Sequence, residues 1–396
     1  MERGKKRSYN VMDDEPVTYE FSEIEIQNLK IAAKKRPTFR GVENLDDNTK
    51  VSALKAVSFV VSLVSFSGAS VLSQNCGAII ERDNNTNIVI TSLNLARACD
   101  ETDSDETDFR KNNLADDLKV VVYASDGSWY LGEIIFYDFF YNLAVVKFCS
   151  KSFFEPAKLS MIDDASVSET DFIRHHSSKL KHGDNVIVVG RYFQGANEYM
   201  AAPGVLSLNR FRPDEYDCNE LFTISSRFTR CGDGASVIST SGELIGITFF
   251  DMSTSSPLLP INLISRMWEH FKEHGEMRHP SYGFDAKNVR FALLPTLERF
   301  RRLFPNVPNG LIVEKVFEDY NAESAGLQVG DVIFACDGIE IKSFLQLWEL
   351  MFAKVGKEVE LEVARVDLKV IKNIRLLIGE ASNDEEIYRW PKYDYR

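Results

Sequence analysis

With 396 residues the chain has room for two or three domains, and its 44% hydrophobic and 27% charged content matches ordinary globular proteins. A net charge of −13 argues against nucleic acid as the main partner, because phosphate contacts need a basic surface. The most apolar early run, Ala56 to Phe66, is far short of the ~20 residues that cross a bilayer, so no membrane association is expected.

Residues 1–50 read as an N-terminal extension, partly flexible, with one weak helical pattern from Phe21 to Ala33. Its aromatics Tyr9, Tyr19 and Phe21 could dock on the next domain or on another subunit. No apolar secretory core is present, and Asp13 to Glu15 argue against a transit peptide. Lys5-Lys6-Arg7 fits either a nuclear signal or a solvated charge cluster. Six cysteines lie scattered without a Cys-x-x-Cys pair, and Cys76, Cys149 and Cys336 sit in apolar surroundings. Reduced thiols suit a cytoplasmic or nuclear location, and neither a metal nor a cofactor is expected.

Residues 51–275 change texture to short β segments: Ala56–Phe66, Gly77–Glu81, Ile88–Ser92, Lys119–Tyr123, Trp129–Tyr137 and Ala144–Phe148. The series continues with Asn185–Gly190, Gly204–Leu208, Leu221–Ile224, Ser236–Ile238 and Glu243–Phe250. Many short strands without long intervening helices predict β-barrels rather than a parallel sheet. Asp100 to Asp108 is expected as an exposed acidic loop, because nothing would compensate the burial of so many carboxylates. A short amphipathic helix, Met267 to His274, closes the region, and His279-Pro280 marks a linker. Residues 281–380 form a second unit, and 381–396 read as a polar, flexible C-terminal tail.

The stretch from Thr229 to Phe250, TRCGDGASVISTSGELIGITFF, reads as a tight glycine turn and two apolar strands around a polar turn closed by Gly242. It resembles the nucleophile loop of the HtrA/Deg (protease Do-like) branch of trypsin-like serine proteases, G-N-S-G-G-P-L-V-N-x-x-G-E-V-I-G-I. Counting back from Gly242 puts Asp233 at the serine position; aligning on Gly-Asp puts Gly234 there. Neither register supplies a serine, and Cys231, Gly232, Asp233 and Gly234 would form a former oxyanion loop. Ile88 to Ala96, IVITSLNLA, resembles the family's histidine segment with Asn94 at the histidine position. Tyr137 to Lys147, YDFFYNLAVVK, resembles its aspartate segment with Asn142 at the acidic position. Val188 to Ser207 and Leu259 to Leu263 resemble two further barrel segments, so the likeness spans roughly residues 51–274.

This resemblance implies a chymotrypsin-like double β-barrel without an intact triad. An asparagine amide has no basicity at neutral pH, so Asn94 takes no proton, and Asn142 brings no charge to steady an imidazolium. In serine proteases, neutralising the acid costs about 10⁴ in kcat, and losing the serine or histidine about 10⁶. Cys231 is the best improvised nucleophile but has no visible base; Ser236 sits where its side chain should point elsewhere. His175, His176 and His182 lie in a polar stretch without metal-ligand spacing.

The second unit resembles a PDZ domain (α+β) of the kind HtrA proteins carry. Its marks are GLIVEKV at Gly310 to Val316, NAESAGLQVGD at Asn321 to Asp331, and a helix from Ser343 to Ala353 with Phe344, Leu347, Leu350 and Met351 on one face. Strands are expected at Val359–Ala364 and Val370–Leu376. The carboxylate-binding segment maps to Tyr282, Gly283 and Phe284, although the family's leucine is missing. Tyr282, Gly283, Phe284, Leu347 and Met351 are therefore the candidate peptide-binding residues. The resemblance implies an inactive homologue that binds peptides or protein C-termini as an adaptor or regulatory subunit, in a trimer-based homo-oligomer or with active relatives. A working serine-type endopeptidase with relocated catalytic residues, active in protein quality control, is the alternative, and a PDZ groove blocked by the barrel is a further one.

Overall fold

The computed structural model describes residues 18–35, 45–100, 107–164, 180–191, 199–210, 218, 220–226, 232–249, 255–307, 309–381, 390 and 393–395. Cys231, His175, His176, Tyr9 and the basic run near the start lie outside the described residues.

Two helices precede the first barrel: α1 (Glu23–Lys35) and α2 (Asp47–Ala56), the latter capped by Asp46, which accepts from Thr49 N. Phe21 packs edge-on against Trp129 at 5.0 Å and near Phe66 at 6.1 Å, which seats α1 on the outside of the barrel. The strand expected from Ala56 starts instead at Val60, because Ala56 closes α2 and Val57–Phe59 turn the chain.

The strands that follow are β1 (Val60–Ser67), β2 (Ser70–Asp83), β3 (Thr86–Ser92), β4 (Arg97–Asp100), β5 (Thr107–Leu114), β6 (Leu118–Tyr123), β7 (Trp129–Asp138) and β8 (Leu143–Cys149). Strands β1, β2, β3, β8, β7 and β6 close a barrel in that order. Strands β4 and β5 form a separate antiparallel hairpin beside it. The expected acidic loop is thus partly strand: Asp100 ends β4 and Asp108 lies in β5, paired through the backbone. The second barrel follows as β9 (Asn185–Arg191), β10 (Tyr199–Arg210), β11 (Phe222–Ile224), β12 (Ala235–Ser239), β13 (Leu244–Thr248) and β14 (Ser256–Pro260). It closes in the order β10, β11, β14, β13, β12, β9. All five residues of β12, of β13 and of β14 are buried, as continuous apolar runs in a barrel wall require.

Helix α3 (Ile261–His274) starts six residues earlier than its amphipathic end suggested and places Trp268 and Phe271 against Phe136 of the first barrel. It ends at Gly275, whose φ of 72° suits the left-handed cap. The PDZ unit contains β15 (Pro280–Ser281), β16 (Phe284–Asn288), α4 (Leu294–Leu303), β17 (Leu311–Val316), α5 (Asn321–Ser324), β18 (Asp331–Cys336), β19 (Ile339–Glu340), α6 (Phe344–Phe352), β20 (Glu358–Arg365), β21 (Val370–Leu377) and β22 (Gly379–Glu380). Its sheet runs β16, β17, β18, β20, β21, with β19 on β18 and a two-stranded β15–β22 ribbon at the entry and exit. A last strand, β23 (Tyr393–Tyr395), returns to pair with β5. The fold is therefore two six-stranded barrels followed by a PDZ domain, and one apolar cluster runs through all three.

Candidate functional site

Strand β3 ends at Ser92, and the chain turns through a 3₁₀ segment, Leu93–Leu95, with Ser92 Oγ accepting from Asn94 N at 3.2 Å. That turn presents Asn94 across the seam between the barrels. Asn94 Nδ2 donates to Asp233 Oδ2 at 2.7 Å, and Ser92 Oγ donates to the same oxygen at 3.1 Å. On the other side Asn142 Nδ2 donates to Ser92 Oγ at 3.2 Å, while Asn142 Oδ1 accepts from Arg97 Nε at 2.9 Å. The three positions singled out in sequence thus meet in one network, joined by Ser92.

The Ser92 hydroxyl gives its single proton to Asp233 and takes two hydrogen bonds, its full capacity. Asn142 accepts on oxygen and donates from nitrogen, an orientation fixed because Arg97 can only donate. Arg97 also donates from Nη1 to Asn112 Oδ1 and from Nη2 to the Phe139 carbonyl at 3.0 Å, with its guanidinium over the Phe139 ring at 4.9 Å. Arg97 is 3% exposed and Asp233 5% exposed, so a buried cation and a buried anion are connected through one amide and one hydroxyl.

The glycine after Asp233 explains which residue faces the site. Gly234 has φ +76°, and a Cβ there would come within 2.5 Å of the Cys76 carbonyl and 2.9 Å of Ser92 N. Both neighbours are backbone, so no side chain fits at 234, and Asp233 supplies the group that reaches Asn94. Backbone bonds hold the turn: Cys76 N to the Asp233 carbonyl at 2.8 Å and Gly234 N to Thr248 O at 2.9 Å. Ser236 is fully buried in β12. His182 is exposed, accepts from Leu208 N at 3.1 Å and leans on Phe291.

The segment Asp138–Asn142 between β7 and β8 gathers the rest of the molecule. Asp138 Oδ2 meets His279 Nε2 of the linker at 2.5 Å, with both side chains buried. The Phe140 ring stacks on His279 at 4.3 Å, and Tyr141 Oη accepts from Trp348 Nε1 of α6 at 2.9 Å. Among the candidate peptide residues, Phe284, Leu347 and Met351 are 1–2% exposed, and Tyr282 donates from its hydroxyl to Glu220 of the second barrel at 2.9 Å. Gly283 has φ +76°, and a Cβ there would run into Tyr320. At the start of α6, Leu345 N donates to Asp164 Oδ2 at 3.0 Å, and Asn288 Nδ2 and Arg290 Nη2 donate to the Asp164 carbonyl. Burial pushes the Asp164 carboxyl above the ordinary carboxylate range despite those donors. The PDZ helix is thus tied to the first barrel through Tyr141 and to the segment between the barrels through Asp164. Sequence reading missed Ser92, Arg97 and Tyr141; a lone cation in the apolar run LNLARAC was the available signal.

A trypsin-like peptidase domain model matches residues 76–247, and a PDZ domain model matches residues 312–365. With the barrels and the PDZ sheet, these matches define a trypsin-like peptidase domain joined to a PDZ domain. The chain is 27% identical over 217 residues to an HtrA-like serine protease of Staphylococcus haemolyticus, covering 49% of this chain and 34% of that relative. It is 26% identical over 284 residues to a protease Do-like 14 of Arabidopsis thaliana, covering 70% of this chain and 61% of that relative. It therefore spans only part of these curated relatives. Among solved structures, the HtrA-type protease AlgW with a tripeptide shares the fold at a TM-score of 0.52, with 18% identity over 85% of this chain and 99% of the other.

Proposed function

We propose that this chain is an HtrA/Deg-type serine-protease homologue that has lost triad chemistry and serves as a binding subunit, an adaptor or regulator that takes protein C-termini or exposed peptides on its PDZ domain. The observation that carries this reading is the 2.7 Å hydrogen bond between Asn94 and Asp233. At the positions where a histidine would take a proton from a serine, an amide donates to a carboxylate. That carboxylate has no labile nucleophilic hydroxyl, and its charge would repel an oxyanion developing beside it. A cytoplasmic or nuclear location is part of the same proposal, with Cys76, Cys149, Cys218 and Cys336 as free thiols.

A fluorophosphonate probe tests the inactive reading on the purified full chain. No labelling is expected. Labelling that disappears when one serine, Ser92 and Ser236 included, is replaced would establish a working endopeptidase instead. Peptide binding carries a condition: Leu347 and Met351 are buried and α6 is tied to Tyr141, so uptake requires the PDZ helix to loosen from the barrel. A C-terminal peptide library that shows no enrichment on the full chain and none on a Tyr141→Phe variant would remove the binding reading.

A further inference from the structure

Past the β15–β22 ribbon, Ala381 N bonds to the His279 carbonyl, and the chain's end comes back to the barrels. Trp390 is 5% exposed. Its Nε1–H donates to the Phe140 carbonyl at 3.0 Å, and its ring lies 4.6 Å from Phe249 at 58°. Phe140 belongs to the first barrel, two residues before Asn142; Phe249 belongs to the second, next to Thr248, whose carbonyl holds Gly234. The indole therefore bridges the seam between the barrels, beside the Asn94–Asp233 network. Three residues on, Tyr393, Asp394 and Tyr395 pair antiparallel with Phe109, Asp108 and Thr107 of β5, whose other edge is β4, the strand that begins with Arg97.

We propose that the interbarrel seam is a binding site for an extended peptide bearing a tryptophan, and that its resident ligand is this chain's own C-terminal segment, anchored by Trp390 and completed by strand addition to β5. The chemistry of the anchor is specific: a flat apolar ring packs on Phe249, and the carbonyl of Phe140 calls for an N–H that phenylalanine lacks. Without the segment, β5 would expose an unpaired edge. Tethering gives the segment a local concentration near the millimolar range, so a free peptide competes poorly while the tail is seated. The proposal rests on the fold alone and stands whether or not the PDZ domain binds ligands.

The test uses the chain ending at Glu386 and a fluorescein-labelled peptide of residues 387–396. The shortened chain is expected to bind the peptide saturably. Replacing tryptophan by alanine in the peptide should weaken binding about a hundredfold, and Phe249→Ala in the shortened chain should weaken it similarly. The full chain should bind more than about tenfold less tightly than the shortened one. Absence of binding by a folded shortened chain, equal binding of the alanine peptide, or equal binding by the full chain would overturn the proposal. An oligomer of the full chain that falls to monomer on shortening would also overturn it, because the tail would then seat on another copy. Should the shortened chain fail to fold, the intact chain labelled with 5-fluorotryptophan decides, its Trp390 signal assigned by Trp390→Phe. A dispersed signal without a solvent isotope shift is expected, and a random-coil, solvent-sensitive one overturns the assignment.

Discussion

Asp233 holds two donors on one oxygen, Asn94 Nδ2 and Ser92 Oγ, and this decides which substitutions the network tolerates. Asp233→Asn can keep an oxygen in the same place and loses only charge, so it should cost less than about 1 kcal/mol. Asp233→Ala removes the acceptor of a half-buried amide and of a buried hydroxyl and should cost about 2 kcal/mol in urea unfolding. Equal losses in the two variants would mean that charge, through the link to Arg97, matters more than the hydrogen bonds. Gly234→Ala faces both a left-handed backbone and the Cys76 carbonyl, and is expected to cost about 3 kcal/mol or to prevent folding. A loss under about 1 kcal/mol would show that the turn can shift. Asn94 and Asn142 could be singled out because each sits inside its own motif, whereas the glycine turn left Asp233 and Gly234 as alternatives. Ser92 and Arg97 could not be, since a buried polar residue is defined by partners distant in sequence: Ser92 meets Asp233 across 141 positions.

Elements with continuous apolar runs, such as β8 and β9, were readable because a barrel wall needs just that pattern. Helix α6 was readable from its broad apolar face. Strand β5, TDFRKNNL, has no apolar alternation; it exists because β4 and β23 pair with its two edges, and only backbone groups take part in that. Helix α4 was overlooked although its Leu294, Leu297 and Phe300 follow a helical spacing after Pro295. For α1, the expected docking of Tyr19 and Phe21 on the next domain has a charged companion. Glu25 is 4% exposed and accepts from Tyr19 Oη at 2.9 Å, from Ser22 N and Oγ at 2.9 and 2.8 Å, and from Lys119 Nζ of β6. Burial works against the charged form, but Lys119 and those hydroxyl and amide donors outweigh it and hold the carboxyl at about 2 instead of 4.5. The folded value lies below the unfolded one, so this stabilisation is full above pH 4.5 and fades as pH falls toward 2. Glu25→Gln should therefore cost roughly 2 kcal/mol at neutral pH. The gap to the parent should narrow steadily in melts taken at decreasing pH below 4.5. A gap independent of pH would show that α1 is held by its aromatics alone.

At the scale of the whole molecule, the loop Asp138–Asn142 is the junction of the structure. Asp138 binds the linker, Phe139 and Asn142 bind Arg97, the Phe140 carbonyl binds Trp390, and Tyr141 binds the PDZ helix. This loop serves packing, and each bond reports on a different docking event. The Tyr141–Trp348 bond bears most directly on peptide binding, because it fixes α6 against the barrel with both rings buried. Tyr141→Phe leaves the ring and removes the acceptor, which strands the Trp348 N–H. The loss falls on the docked state alone, since water satisfies the indole once α6 lifts away. A cost of about 1.4 kcal/mol to docking multiplies a small undocked population about tenfold, and apparent affinity scales with the competent fraction. Tyr141→Phe should thus raise peptide affinity of the full chain up to about tenfold by fluorescence anisotropy while lowering its melting temperature. Affinity that stays constant as stability falls would mean that the groove never opens by this route, and the PDZ unit would then serve as a fixed part of the barrel assembly.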